Sequence, residues 1–153
     1  MTSPLSIRTL LGNEVGALRS MLGMFGAAFG DRETYTSRQP DDGYLQRLLS
    51  SETFVAVAAF AGQHVIGGIA AYALPKFEQS RTELYIYDLA VDEAYRRRGV
   101  ATSMIEELKS VATARDMYVV FVQADHGDDA AIALYSKLGV REDVLHFDIA
   151  LSR

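Results

Sequence analysis

The chain contains no cysteine. That excludes disulfides, thiolate metal sites and a cysteine-borne acyl intermediate, and it is compatible with a reducing cytoplasm, the location expected here. Positive charge is also short: 15 Lys and Arg against 20 Asp and Glu leave a formal net charge of −5. A nucleic-acid partner calls for a broad basic face, so none is expected. Neither G-x-G-x-x-G nor G-K-[ST] occurs, and Gly62, Gly67 and Gly68 therefore read as turn and close-approach positions. No internal repeat or low-complexity tract is present. The cluster Asp125-His126-Asp128-Asp129 lacks the glycine and distal glutamate of a calcium loop, and a lone histidine among aspartates is not zinc spacing, so no metal is expected. The first residues, Met1-Thr2-Ser3-Pro4-Leu5, have no basic segment leading into an apolar run, so no signal peptide is expected. One apolar stretch, residues 54–74, is long enough to span a membrane. Ala61-Gly62-Gln63-His64 interrupts it, and its valines, isoleucines and aromatics suit two buried strands of a hairpin, so no membrane partner is expected.

What remains is an ordinary globular composition, 49 % hydrophobic and 23 % charged over 153 residues, which fits a single domain over 1–153 with a proper core. A first strand is expected over 6–10. From Gly12, Val15, Leu18, Leu22, Phe25 and Phe29 recur at three and four residues, which predicts a helix with one buried face, ended by Gly30-Asp31. Residues 32–40 read as a polar loop, and Asp41 or Asp42 caps a short helix through Leu49. Strands are expected over 53–60, 65–74 and 82–91, with a loop at 75–81 as a candidate substrate wall. An amphipathic helix over 99–115, a buried strand over 117–123, a helix over 130–138 ended by Gly139 and a last strand over 144–151 complete the reading. This order indicates a mixed α/β domain with helices on both faces of a sheet.

The most telling segment is Tyr85-Ile86-Tyr87-Asp88-Leu89-Ala90-Val91, which runs through Asp92 to Tyr95 into Arg96-Arg97-Arg98-Gly99-Val100-Ala101. An apolar strand here feeds a basic, glycine-containing turn that opens a helix. The first N–H groups of a helix have no intrahelical partner and the helix dipole is positive there, so such a turn suits a pyrophosphate. Gly99 allows close backbone approach, small Ala101 keeps the first turn open, and the three arginines add full charge.

The spacing Arg96-x-x-Gly99-x-Ala101 after Leu-Ala-Val resembles the acetyl-CoA signature of the GCN5-related N-acetyltransferases (GNAT). Ala131-x-x-x-Tyr135-x-x-x-Gly139-Val140 resembles their second motif, a helix whose tyrosine faces the coenzyme sulfur. Further strings, Gln39-Pro40-Asp41, Leu74 to Gln79, Glu83 to Asp88, Gln123 to Asp129 and His146-Phe147-Asp148-Ile149, look like the type I aminoglycoside 3-N-acetyltransferases, the gentamicin-modifying branch. The resemblance implies a GNAT fold, a mixed sheet of about six to seven strands flanked by about four helices. It also implies acetyl-CoA as donor and the 3-amino group of the 2-deoxystreptamine ring as acceptor, hence antibiotic resistance. Two positions depart from the pattern: Asp128 stands where the superfamily often has asparagine, and His126 where the nearest relatives have tyrosine.

On that basis the coenzyme would be held by Leu89, Ala90, Val91, Arg96, Arg97, Arg98, Gly99, Val100, Ala101, Thr102, Asp128, Ala131 and Tyr135. Backbone N–H groups at 89–91 would polarise the thioester carbonyl if the strand is bulged. Asp88 is the candidate general base, or alternatively an electrostatic anchor for a substrate ammonium. In a regular strand it would share the apolar face of Leu84 and Ile86, where desolvation raises its pKa, whereas a bulge would alter which face it takes. Tyr135 is the candidate acid for the leaving thiolate, or a core tyrosine beside Leu134 and Leu138. Glu83, Tyr87, Asp88, Asp125, Asp128, Asp129 and Asp148 would face a polycationic acceptor. Other acceptors of similar charge, such as spermidine or an amino sugar, and a coenzyme-binding protein without turnover are the competing readings. A homodimer is expected because the apolar hairpin and final strand leave edges to cover.

Overall fold

The computed structural model describes residues 3–153. Contacts divide the chain into two units, residues 1–123 and 124–153. In the first, β1 (Leu5–Thr9), α1 (Val15–Phe29), α2 (Arg32–Thr36), α3 (Asp42–Ser50), β2 (Phe54–Ala61), β3 (His64–Pro75), β4 (Thr82–Val91), a 3₁₀ turn (Glu93–Tyr95), α4 (Val100–Ala114) and β5 (Val119–Val122) follow in order. The strands form one sheet in the order β1-β2-β3-β4-β5, antiparallel up to β4 and parallel between β4 and β5. The apolar stretch that could have been a membrane span is the β2–β3 hairpin, turning at Gly62. No helix among the described residues is long and apolar enough to cross a membrane.

Two layers cover the sheet, and adjacent glycines on β3 show how. A side chain on Gly67 would meet Met104 and Val100 of α4, while one on Gly68 would meet Met21 and Phe25 of α1. Successive strand residues point to opposite faces, so α1 and α4 lie on opposite sides of the sheet. The α1 side buries Leu18, Met21 and Phe25 with Leu45 and Leu49 of α3 against Phe54, Ala56, Ala58, Phe60 and Ala90. On the α4 side, Met104 and Leu108 are fully buried, as are Val57, Ile69 and Leu84 on the strands. Burying a side chain of this size stabilises the fold by about 1.5–3 kcal/mol.

Local chemistry explains the helix ends. Gly30 closes α1 in the left-handed conformation, and Asp41 caps α3 by accepting from the Tyr44 N–H at 2.8 Å. The expected loop over 32–40 instead holds α2, because Asp31 accepts from the Thr34 N–H at 3.3 Å and starts a turn. So short a helix leaves too little periodicity to be seen in sequence.

The second unit contains α5 (Asp129–Leu138), and Gly139 ends it in an extended conformation, not a left-handed one. The expected last strand over 144–151 is absent, and the described residues form five strands, not six or seven. Leu145, Phe147, Ile149 and Leu151 do alternate, yet all four are exposed. Alternation specifies which face a strand would bury, but strand pairing is non-local, and residues 124–153 hold no second strand to pair with.

Candidate active site

The signature strand carries a bulge. Ile86 lies opposite Ala71 and Asp88 opposite Ala70, so Tyr87 is an extra residue on β4. Leu84 and Ile86 remain in the α4-side core, but Asp88 moves to the opposite face, the face of Tyr72, Tyr85 and Ala70. The shared face of Leu84, Ile86 and Asp88 expected of a regular strand is therefore not formed: the bulge inserts one residue and inverts the alternation.

On its face, Asp88 is half-buried among phenols. The Tyr35 hydroxyl, from α2, donates to Asp88 Oδ2 at 3.2 Å. Burial raises the Asp88 carboxyl above the ordinary aspartate range, and the Tyr35 hydrogen bond works against that rise. The phenols respond in turn. Burial, and then the Asp88 charge, push Tyr35 and Tyr72 up, and burial also raises Tyr85, with Tyr87 and Asp88 adding to it.

Tyr87, displaced outward by the bulge, is 63 % exposed. Its ring meets Tyr72 edge-on at 5.8 Å and Tyr85 at 5.7 Å. Tyr85 stacks on Phe121 of β5 at 4.6 Å and donates to Gln123 Oε1 at 2.9 Å, while Tyr72 meets Phe54 at 5.3 Å. An aromatic strip thus crosses the sheet beside one carboxylate, an arrangement that attracts cations. Glu83 sits at the far end of β4, roughly 15 Å along the strand from Asp88. Its carboxylate already has a cation, Lys76 Nζ at 3.5 Å, which also reaches Glu78 at 3.7 Å.

Beyond the bulge the strand changes character. Pairing with β5 ends at Ile86, whereas pairing with β3 continues to Val91. Leu89, Ala90 and Val91 therefore have a strand partner on one side only within residues 3–123. The Asp92 N–H donates to Ile66 O on β3, so by strand alternation the Val91 N–H points away from β3.

The basic turn follows directly. Arg96 Nε donates to Val91 O at 2.9 Å and ties the turn to the strand end. Arg97 has φ 63° and Gly99 φ 77°, so two left-handed residues fold the chain back before α4 begins at Val100. The guanidinium of Arg98 lies over the Tyr95 ring at 5.3 Å. No side chain caps α4. Val100 is buried, while the turn residues Arg97, Arg98 and Gly99 are exposed and Ala101 and Thr102 partly so. An uncapped fifteen-residue helix with arginines at its start is a fitting seat for a pyrophosphate.

Within residues 124–153, Asp128 is the cap of α5, accepting from the Ala131 N–H at 3.2 Å, and Asp129 begins the helix. Asp125 accepts from the Asp128 N–H through its backbone carbonyl. Tyr135 is pushed up to about 12 by burial, with Asp128 adding to the effect. Asp148 is exposed and 2.9 Å from His146 Nε2. Of the acidic residues expected from sequence, Asp128 is thus committed to helix capping.

Residues 20–140 match the sequence pattern of the acetyltransferase (GNAT) family. The chain belongs to that family. Acetyl-CoA is the donor that GNAT acetyltransferases use. This acetyltransferase is 55 % identical to an aminoglycoside acetyltransferase, HMB0005, from an uncultured soil metagenomic sample, with 97 % of this chain and 99 % of that one aligned at a TM-score of 0.95. A second soil metagenomic aminoglycoside acetyltransferase, meta-AAC0020, solved in complex with sisomicin, is 31 % identical over 97 % of each chain, with a TM-score of 0.88. An N-alpha-acetyltransferase of Sulfurisphaera tokodaii is 28 % identical over 96 residues, covering 56 % of this chain and 58 % of that protein.

The uncapped start of α4 and the one-sided strand end fit the coenzyme's pyrophosphate and pantetheine arm. What the sequence reading of this GNAT enzyme missed is the phenolic surround of Asp88. Tyr35 lay in a segment read as loop. Tyr72 and Tyr85 had a signal, an aromatic on each of two neighbouring strands at one register, but only the pairing of Tyr72 with Tyr85 makes it visible.

Proposed function

We propose that this acetyltransferase moves the acetyl group of acetyl-CoA to the 3-amino group of the 2-deoxystreptamine ring of aminoglycosides such as gentamicin, by direct transfer in a ternary complex, and so confers resistance. The observation that carries the substrate class is the 55 % identity, across nearly the whole of both chains, to an aminoglycoside acetyltransferase. The 3-position rests on the resemblance of the strings around Asp88, Asp125 and Asp148 to the type I enzymes. The aromatic strip beside a lone, half-buried carboxylate supports a cationic acceptor.

Asp88 takes the proton that the acceptor nitrogen sheds as it bonds to the acetyl carbon. Its raised pKa makes it a better base than an ordinary aspartate. The backbone N–H groups of Leu89 and Val91, which by strand alternation point away from β3, stabilise the negative charge that develops on the carbonyl oxygen; one such donor is worth about 3 kcal/mol. As the carbon–sulfur bond breaks, the Tyr135 phenol, protonated at working pH, hydrogen-bonds and protonates the departing sulfur. Arg96 to Arg98 and the first turn of α4 hold the phosphates. Tyr87, Asp125, Asp129 and Asp148 recognise further ammonium groups. The enzyme acts as a homodimer that covers the exposed Leu145, Phe147, Ile149 and Leu151; a monomeric mass by light scattering at working concentration would contradict this.

The regiochemistry is tested by two-dimensional NMR of the gentamicin product. A single acetamide on the 3-nitrogen is expected. An acetyl group on another nitrogen would keep the enzyme class and overturn the position.

A further inference from the structure

We infer that Tyr35 is a positioning residue for Asp88: its hydroxyl fixes one carboxylate oxygen and leaves the other free to take the acceptor's proton. The inference rests on the base reading of Asp88. Its ground is that Tyr35 is held from three directions. Its ring packs against Phe25 edge-on at 6.0 Å and against Phe29 at 5.6 Å, both on α1. The helices are close enough that a side chain on Gly26 would come within 3.3 Å of the Tyr35 Cβ. Its backbone carbonyl accepts from Gln39 Nε2 at 3.1 Å, and Gln39 Oε1 accepts from Arg19 Nη1 of α1 at 2.9 Å. Arg19 is itself fixed by Pro40 O and Asp42. A tether running Arg19–Gln39–Tyr35 therefore ends on Asp88.

Within residues 3–123, Tyr35 supplies the hydrogen bond to Asp88, and Oδ1 accepts none. The other titratable groups around the carboxylate are Tyr72 from β3 and Tyr85 and Tyr87 from β4, with Asp31 beside Tyr35. None of these is a cation. Loss of the Tyr35 hydroxyl leaves burial unopposed, and the Asp88 titration moves to higher pH.

The test is Tyr35→Phe, which keeps the packed ring. The Asp88 carboxyl is followed by ¹³C NMR against pH, with Asp88→Asn assigning the signal, and kcat/KM for gentamicin is measured across the same range. The midpoint is expected to rise, and kcat/KM to fall by about 3- to 10-fold, with the deficit widening toward low pH and KM for acetyl-CoA unchanged. Gln39→Leu, which loosens the tether and leaves the hydroxyl, is expected to lower kcat/KM in the same direction by less. An unchanged or lowered midpoint in a folded Tyr35→Phe protein would overturn the inference. Full kcat in Asp88→Asn would instead overturn the base reading, and the carboxyl titration would still report whether Tyr35 acts on Asp88.

Discussion

Asp88 faces Ala70 across the β3–β4 ladder while Ile86, two residues earlier, faces Ala71, one residue later. That mismatch of one residue turns the aspartate away from the α4-side core and into a ring of tyrosines. A carboxylate half-buried there is costly when charged, which is how active sites hold bases at useful pKa values.

Asp88→Asn is expected to lower kcat by about 10²–10⁴-fold. It is also expected to raise thermal stability. Burial lifts the Asp88 pKa in the folded state, so between the unfolded and folded pKa values the native protein binds more protons than the unfolded chain, and stability falls as pH rises through that window. The asparagine protein should therefore melt above the parent at pH 8 and lose that advantage as pH falls to 4. Thermal melts at the two pH values check the sign. Normal kcat with only a raised acceptor KM would leave Asp88 as an anchor and not a base.

Tyr135→Phe should reduce kcat by about 100-fold and change KM little. Because the phenol is held near 12, its own ionisation should cause no loss of rate up to pH 10 in the parent enzyme. Full kcat in the phenylalanine protein would remove the acid role.

At the basic turn, Gly99 is left-handed and exposed, so Gly99→Val forces a branched residue into a conformation it resists and places a side chain where phosphate would approach. The KM for acetyl-CoA should rise by at least about tenfold in this protein, and by a smaller, salt-sensitive factor in Arg98→Ala. Initial rates at two ionic strengths separate the two effects.

At Gly68, β3 packs directly against Met21 and Phe25 of α1. A methyl group there would run into the Met21 side chain. Gly68→Ala should cost about 1–3 kcal/mol, and the double variant with Met21→Ala should cost less than the sum of the two single changes. Chemical denaturation of the four proteins completes the cycle.

Local signals carried much of the fold into the sequence. The α1 apolar periodicity, an aspartate cap at 41 or 42, which proves to be Asp41, the Gly62 turn and the strand feeding Arg96 to Ala101 are all short-range and appear where expected. Non-local features did not read out. The family resemblance allows for the β4 bulge, but its position depends on how β3 pairs with β4, and it reverses the face of Asp88, the proposed base. Tyr35 is 53 positions away from the carboxylate it touches, in a helix too short to declare itself. The alternating residues 144–151 illustrate the opposite failure, a clear strand pattern without a strand.

The most direct test of the proposed activity is coenzyme-A thiol release from acetyl-CoA by the purified protein, with gentamicin, spermidine and a peptide bearing a free N-terminus as acceptors. Saturable turnover selective for gentamicin is the expected result. Turnover confined to spermidine or the peptide would contradict the aminoglycoside assignment while leaving the acetyltransferase chemistry in place.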